Sequence, residues 1–182
     1  MESLLALWIV IGAVLVIALL ALVWIVAARG SIRRLGTAVD ERWAALAAVL
    51  EQRSSVTEPL LAGAPEQDRK RVADAFVAIE TADRPSAKAA AEAEVQRVLR
   101  PFMQAAGSQP LGSATAEARA SLTALDDETQ ARRRDYNTAA RELNAKARRF
   151  PSSMFAASVA APREFFEVDH SNAVAEPPRI QF

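Results

Sequence analysis

Residues 4–28 read LLALWIVIGAVLVIALLALVWIVAA, an apolar run without a single charge. As a helix, this run is long enough to cross a bilayer core about 30 Å thick. Each of its Leu, Ile and Val residues contributes about −0.3 to −0.6 kcal/mol to insertion, and no Asp, Lys or Arg opposes them at about +2.5 to +3.5 kcal/mol. Trp8 and Trp24 would stand about 24 Å apart along such a helix, near the two interfaces where indole rings prefer to sit. The rest of the chain is therefore read as a domain held at a membrane surface.

The run is too long for the apolar core of a signal peptide, and the residues before it carry Glu2 and no Lys or Arg. A retained anchor is expected, although Val26-Ala27-Ala28 has the small-residue pattern of a cleavage site. Arg29, Arg33 and Arg34 follow the run directly. Positive flanks stay cytoplasmic, so the expected topology is N-terminus outside and C-terminal domain inside.

Composition narrows the class of the remainder. Of 182 residues, 22 are basic and 22 acidic, without the basic excess of a nucleic-acid protein. There is no cysteine, which excludes disulfides, zinc–thiolate sites and cysteine nucleophiles. Abundant Ala, Glu, Arg, Leu and Gln, with few β-branched residues beyond the anchor, predict an all-α fold.

Ile32, Leu35, Val39, Trp43, Leu46 and Leu50 recur at spacings of three and four, an amphipathic and nearly heptad stripe. The spacing predicts that the anchor helix continues, or restarts at once, as the first bundle helix and ends near Leu60. Asp40, Glu41, Arg42, Glu51, Gln52 and Arg53 are assigned to its solvated face. Ala62-Gly63-Ala64-Pro65 reads as a turn. From Glu66 to Ala106 the pattern is either one helix kinked at Asp83-Arg84-Pro85-Ser86 or two short helices, with the single kinked helix preferred, and Pro101 is expected to bend it. Residues 107–113 form the clearest loop. A long helix follows from Ala114 to about Arg149, and Pro151 ends it. Met154 to Phe166 is expected to fold back as a short helix or strap, and residues 168–182 to be a disordered tail. The organisation is thus an anchor (1–30), an antiparallel bundle of three to four long helices (31–167) and a tail (168–182).

Tyr136, Leu143 and Phe150 share one helix face at seven-residue steps, with Asn137 and Asn144 as a parallel stripe. They form either a core seam whose buried amides bond across to another helix or a groove for a partner. Arg132, Arg133, Arg134, Arg141, Lys146, Arg148 and Arg149 make the densest basic region. It is either a solvated face with favourable charge at a helix C-terminus or a contact for anionic lipid headgroups. Signs of catalysis are lacking. His170 is the single histidine and falls in the tail. No Glu-x-x-His pair or Gly-rich phosphate loop occurs, and Asp126-Asp127-Glu128 reads as a solvated charge run.

The series Arg132-Arg133-Arg134-Asp135-Tyr136-Asn137, Asn144, Arg149-Phe150-Pro151-Ser152 and Phe165-Phe166-Glu167 resembles the signature of the LemA family in order and spacing. Trp43 and Gln52-Arg53 agree with the family's N-terminal half. A Tyr-Pro motif usual in its middle is missing. The resemblance implies a single-pass protein of the bacterial inner membrane carrying an antiparallel helical bundle, with no established catalysis. The expectation is a non-enzymatic, membrane-anchored interaction or scaffold protein without a cofactor. Its partners would be the lipid bilayer and another protein, either a different one or a second copy, and not nucleic acid. The residues proposed for partner binding are Arg133, Tyr136, Asn137, Asn144, Phe150 and Phe166. Those placed at the membrane are Trp8, Trp24, Arg29, Arg33 and Arg34. The alternative is a membrane-organising protein that assembles laterally through its coiled-coil-like helices.

Overall fold

The computed structural model describes residues 1–154 and 156–168, apart from the side chains of residues 2–6. Among them the fold is all-helical. A single helix, α1, runs unbroken over Glu2–Ser55. It carries the apolar run, passes through Gly30 and Gly36, and continues as the stripe that contains Trp43. An 18-residue window within it reaches a mean hydropathy of 3.2, and none of that window is buried. A 3-10 turn, Glu58–Leu61, follows. Gly63 then takes a positive φ of 79°, open to glycine at no steric cost.

Of the two arrangements open for 66–106, the structure has the less preferred one, two helices: α2 (Glu66–Thr81) and α3 (Pro85–Ala106). The break is the work of Pro85. It holds Arg84 in extended geometry, at φ −98° and ψ 144°, and then serves as the first residue of α3, where its missing N–H is not needed. Ser86 does not cap the restart. Its hydroxyl donates to a Glu164 carboxylate oxygen at 2.8 Å. Helix α3 continues through Pro101. Loop 107–113 separates it from α4, Ala114–Ala147, and the Ser113 hydroxyl accepts the Ala116 N–H at 3.2 Å to cap that helix. A 3-10 turn (Ser152–Met154) and a one-turn helix, α5 (Ala156–Val159), lead into a strap without regular secondary structure over 160–168. Apart from Val168, the expected tail, with His170, lies outside the described residues.

The chain divides into two compact units, and α1 and α4 contribute residues to both. One unit comprises residues 1–40 and 139–163. Its core is Ala28, Ile32 and Val39 of α1, Ala140, Leu143 and Ala147 of α4, and Ala156 of α5, all buried. Gly36 belongs to this core for a steric reason. A Cβ added there would stand 2.7 Å from the Cβ of Ala160.

The other unit comprises, among the described residues, 41–138 and 164–168. Leu46 and Leu50 of α1, Val95 and Leu99 of α3, and Leu122 of α4 are buried in it. Helix α2 packs on α3, burying Val72, Ala75, Phe76 and Ile79. Leu60, Ala106, Ala118 and Leu122 form a further buried cluster, closed by Val56, Phe102 and Met103.

Candidate functional site

The most heavily charged interior lies in the second unit. Arg53, assigned from sequence to a solvated face, has a side chain only 3% exposed. One of its guanidinium nitrogens donates to Glu92 of α3, whose side chain is 1% exposed. Its Nη2 lies 2.7 Å from Asp126 Oδ1 of α4, off the line of a hydrogen bond. Three helices therefore meet at one guanidinium. Asp126, also assigned to a solvated charge run, instead faces this centre and retains partial exposure. Gln96 donates to the same Glu92 oxygen at 2.8 Å. Glu92 Oε2 and Arg53 Nε are buried without a protein partner. Arg53 and Asp126 line an open cleft of about 370 Å³, together with Gln96, Arg100 and Gln130 and with apolar Leu99, Met103 and Leu122.

Burial pushes the Glu92 carboxyl above its ordinary range, although Arg53 and Gln96 pull it down. Burial raises Asp126 as well, against the attraction of Arg53 and with the help of the neighbouring Asp127 charge.

Beside this centre, Lys88 is buried too. Its ammonium lies 3.6 Å from Glu51 and 6.0 Å from the centre of the Trp43 ring. Trp43 in turn packs against Tyr136 and Phe166, at ring-centre distances of 5.3 and 6.4 Å. Among the described residues no group of three or more His, Asp or Glu side chains is placed to hold a metal ion.

The aromatic and amide residues of the signature grip the strap. Within the second unit, the Tyr136 hydroxyl donates to the Glu164 carbonyl at 2.7 Å. Asn137 makes a two-point contact with Phe166: its amide donates to the carbonyl, and its Oδ1 accepts the N–H, both at 2.9 Å. Within the first unit, Asn144 does the same to Arg163, both bonds at 2.8 Å. Arg163 also pairs with Asp40 at 2.8 Å. Each asparagine thus satisfies one backbone donor and one backbone acceptor of the strap, as an edge strand would. The sequence profile of the LemA family matches residues 37–182.

The chain belongs to the LemA family. A comparison with curated proteins gives no match. Of the six LemA signature residues proposed for partner binding, Tyr136 and Phe166 are enclosed, at 1% and 0% exposure. Asn137 and Asn144 spend their amides on the strap, and Arg133 is half-buried. Phe150 differs: it is 69% exposed, and its ring touches Trp24 with centres 5.5 Å apart. Trp8, Trp24, Arg29, Arg33 and Arg34 all lie exposed on α1.

Arg53, Lys88 and Glu92 escaped sequence reasoning, yet a signal was available. Ile32, Val39, Leu46 and Arg53 follow at steps of seven, and so do Gly36, Trp43, Leu50 and Thr57. On α3, Lys88, Glu92, Val95, Leu99 and Phe102 alternate steps of four and three. Extending the apolar stripe through polar positions places all of these on the buried face.

Proposed function

We propose that this LemA-family protein is a single-pass protein of the bacterial inner membrane whose helical domain faces the cytoplasm and acts as a non-enzymatic interaction module. The observation that carries this reading is the exposed apolar surface of α1. Leu7 to Val26 present large hydrophobic side chains in every direction, which suits lipid and would be unstable in water. Exposed Arg29, Arg33 and Arg34 follow immediately and favour a cytoplasmic location for the residues after them. With Tyr136 and Phe166 spent on the interior, the surface offered to a protein partner is the charged outer faces of the helices and the part-exposed Arg133.

Cysteine accessibility tests the topology, since the native chain has no cysteine. Leu111→Cys places a thiol in the loop before α4, at a fully exposed position. In intact spheroplasts an impermeant maleimide should leave it unlabelled, and permeabilisation should expose it. Labelling before permeabilisation would reverse the orientation. Interaction is tested by a photoreactive residue at the partly exposed Glu128, on full-length protein in its own membrane. Capture of a discrete second protein supports the module reading, and crosslinks between two copies favour lateral assembly. Intramolecular crosslinks alone, here and at Arg133, would remove both.

A further inference from the structure

We propose that the turn joining α4 to α5 is a second membrane contact, seated on anionic lipid headgroups beside the anchor. This rests on the reading of the apolar part of α1 as a bilayer span. The first observation is the contact between Phe150 and Trp24. Trp24 lies near the end of the apolar run, about 7.5 Å along the helix before Arg29. An aromatic ring packed against Trp24 therefore sits at the depth of the interfacial indole, not out in bulk water. Both rings stay open on their outer sides, at 69% for Phe150 and 52% for Trp24.

The turn is built to present this ring. Pro151 and Ser152 are buried and fix the backbone, while Phe150 and Met154 project, Met154 at 68% exposure. Arg148 and Arg149 are exposed directly before them. Charge supplies the second observation. Within this unit, residues 24–39 and 143–163 contain no Asp or Glu. They carry Arg29, Arg33 and Arg34 on one segment, and Lys146, Arg148 and Arg149 on the other. A helix C-terminus explains basic residues in its last turn. It does not explain an exposed Phe and Met beside an interfacial Trp. Aromatic side chains at headgroup depth, ringed by guanidinium groups at phosphate depth, match an anionic bilayer surface.

The test uses the full chain in vesicles of phosphatidylcholine, with or without phosphatidylglycerol. Single-cysteine variants Met154→Cys and Leu15→Cys carry an environment-sensitive fluorophore and are read with a lipid-borne and a water-soluble quencher. The expected result is deep quenching at position 15 and shallow lipid quenching at position 154. The latter should strengthen with phosphatidylglycerol and be lost when Phe150→Asp or the pair Arg148→Glu and Arg149→Glu is added. If position 15 is deep but position 154 is open to the water-soluble quencher, the turn does not touch lipid and the proposal falls while the span stands. A label at 154 shielded from both quenchers would mean that protein, such as a second copy, covers the turn, which also overturns the proposal. A label at position 15 reached by the water-soluble quencher would overturn the span, and the proposal with it.

Discussion

Arg53 and Glu92 form an ion pair with water almost excluded, their side chains 3% and 1% exposed. A pair like this gains Coulomb energy in a low dielectric but loses the hydration of both ions, so it is poor evidence of net stabilisation. Losing one partner is a different matter. Arg53→Met would leave Glu92 buried opposite an apolar side chain and Asp126 without its cation. The expected loss is about 3–5 kcal/mol, or roughly 6–20 °C in Tm for a chain of this size. It can be read by circular dichroism on the full chain in detergent. Adding Glu92→Gln should recover much of it, giving a large coupling energy in the double-mutant cycle. Single-variant losses that simply add up to the loss in the double variant would show that the pair contributes nothing.

The same centre predicts an unusual dependence on pH. Burial holds Glu92 and Asp126 above their ordinary ranges, although Arg53 opposes the shift in both. A carboxyl raised in the folded state binds its proton more tightly there than in the unfolded chain. Between the unfolded pKa and the raised value the folded protein holds more protons, so this contribution is complete below the window and lost as pH rises through it. Glu92→Gln keeps the shape of the neutral form and cannot titrate. Its Tm should match wild type near about pH 4 and equal or exceed it at about pH 7. A variant that instead falls progressively below wild type as pH rises would show that Arg53 holds the Glu92 carboxyl below its ordinary range.

How much of this was legible follows from what periodicity measures. Apolar residues at steps of three and four marked α1, α3 and α4, and Gly, Pro and Ser marked the loops at 62–65 and 107–113. The step from Asp83 to Ser86 was seen as a disturbance. Its outcome, two helices, depended on how firmly Pro85 holds Arg84 extended. The family pattern picked out Asn137 and Asn144, seven apart on one face, but the bond expected to another helix is made instead to the strap backbone. Arg53 was misassigned, and Lys88 and Glu92 were passed over, for one physical reason: a stripe drawn only through apolar residues stops where the core turns polar. Their partners lie 39 and 37 residues away in the chain, so no local pattern reveals that the charges are matched.

The asparagine clips give a local readout. Asn144→Asp keeps the shape but turns an oxygen, in place of the amide donor, toward the Arg163 carbonyl. The expected cost is about 1 kcal/mol, the low end of the penalty for an opposed acceptor, because the contact is only part-buried. Hydrogen exchange should report it at the Arg163 amide, which now donates to Asn144 Oδ1. Asn137→Asp should do the same at the Phe166 amide. Protection unchanged at both amides would mean that the strap is held by packing of Phe166 and not by the side-chain amides.

Two glycines of α1 should respond in opposite directions to the same change. In a helix interior Gly→Ala ordinarily stabilises by about 1 kcal/mol. Gly30 is exposed, and an added Cβ there meets nothing within 4 Å, so Gly30→Ala should raise Tm. At Gly36 the added Cβ would meet the Ala160 Cβ at 2.7 Å, too close for two carbon atoms. The strand of backbone carrying Ala160 must move or the helix must shift, and overpacking of this kind costs about 1–3 kcal/mol, more than the helical gain. Gly36→Ala should therefore lower Tm. Ala160→Gly removes the opposing methyl, so the double variant should regain the loss and retain the gain of Ala at position 36. If Gly36→Ala stabilises as Gly30→Ala does, the close approach of α1 to the residue after α5 is not part of the folded protein.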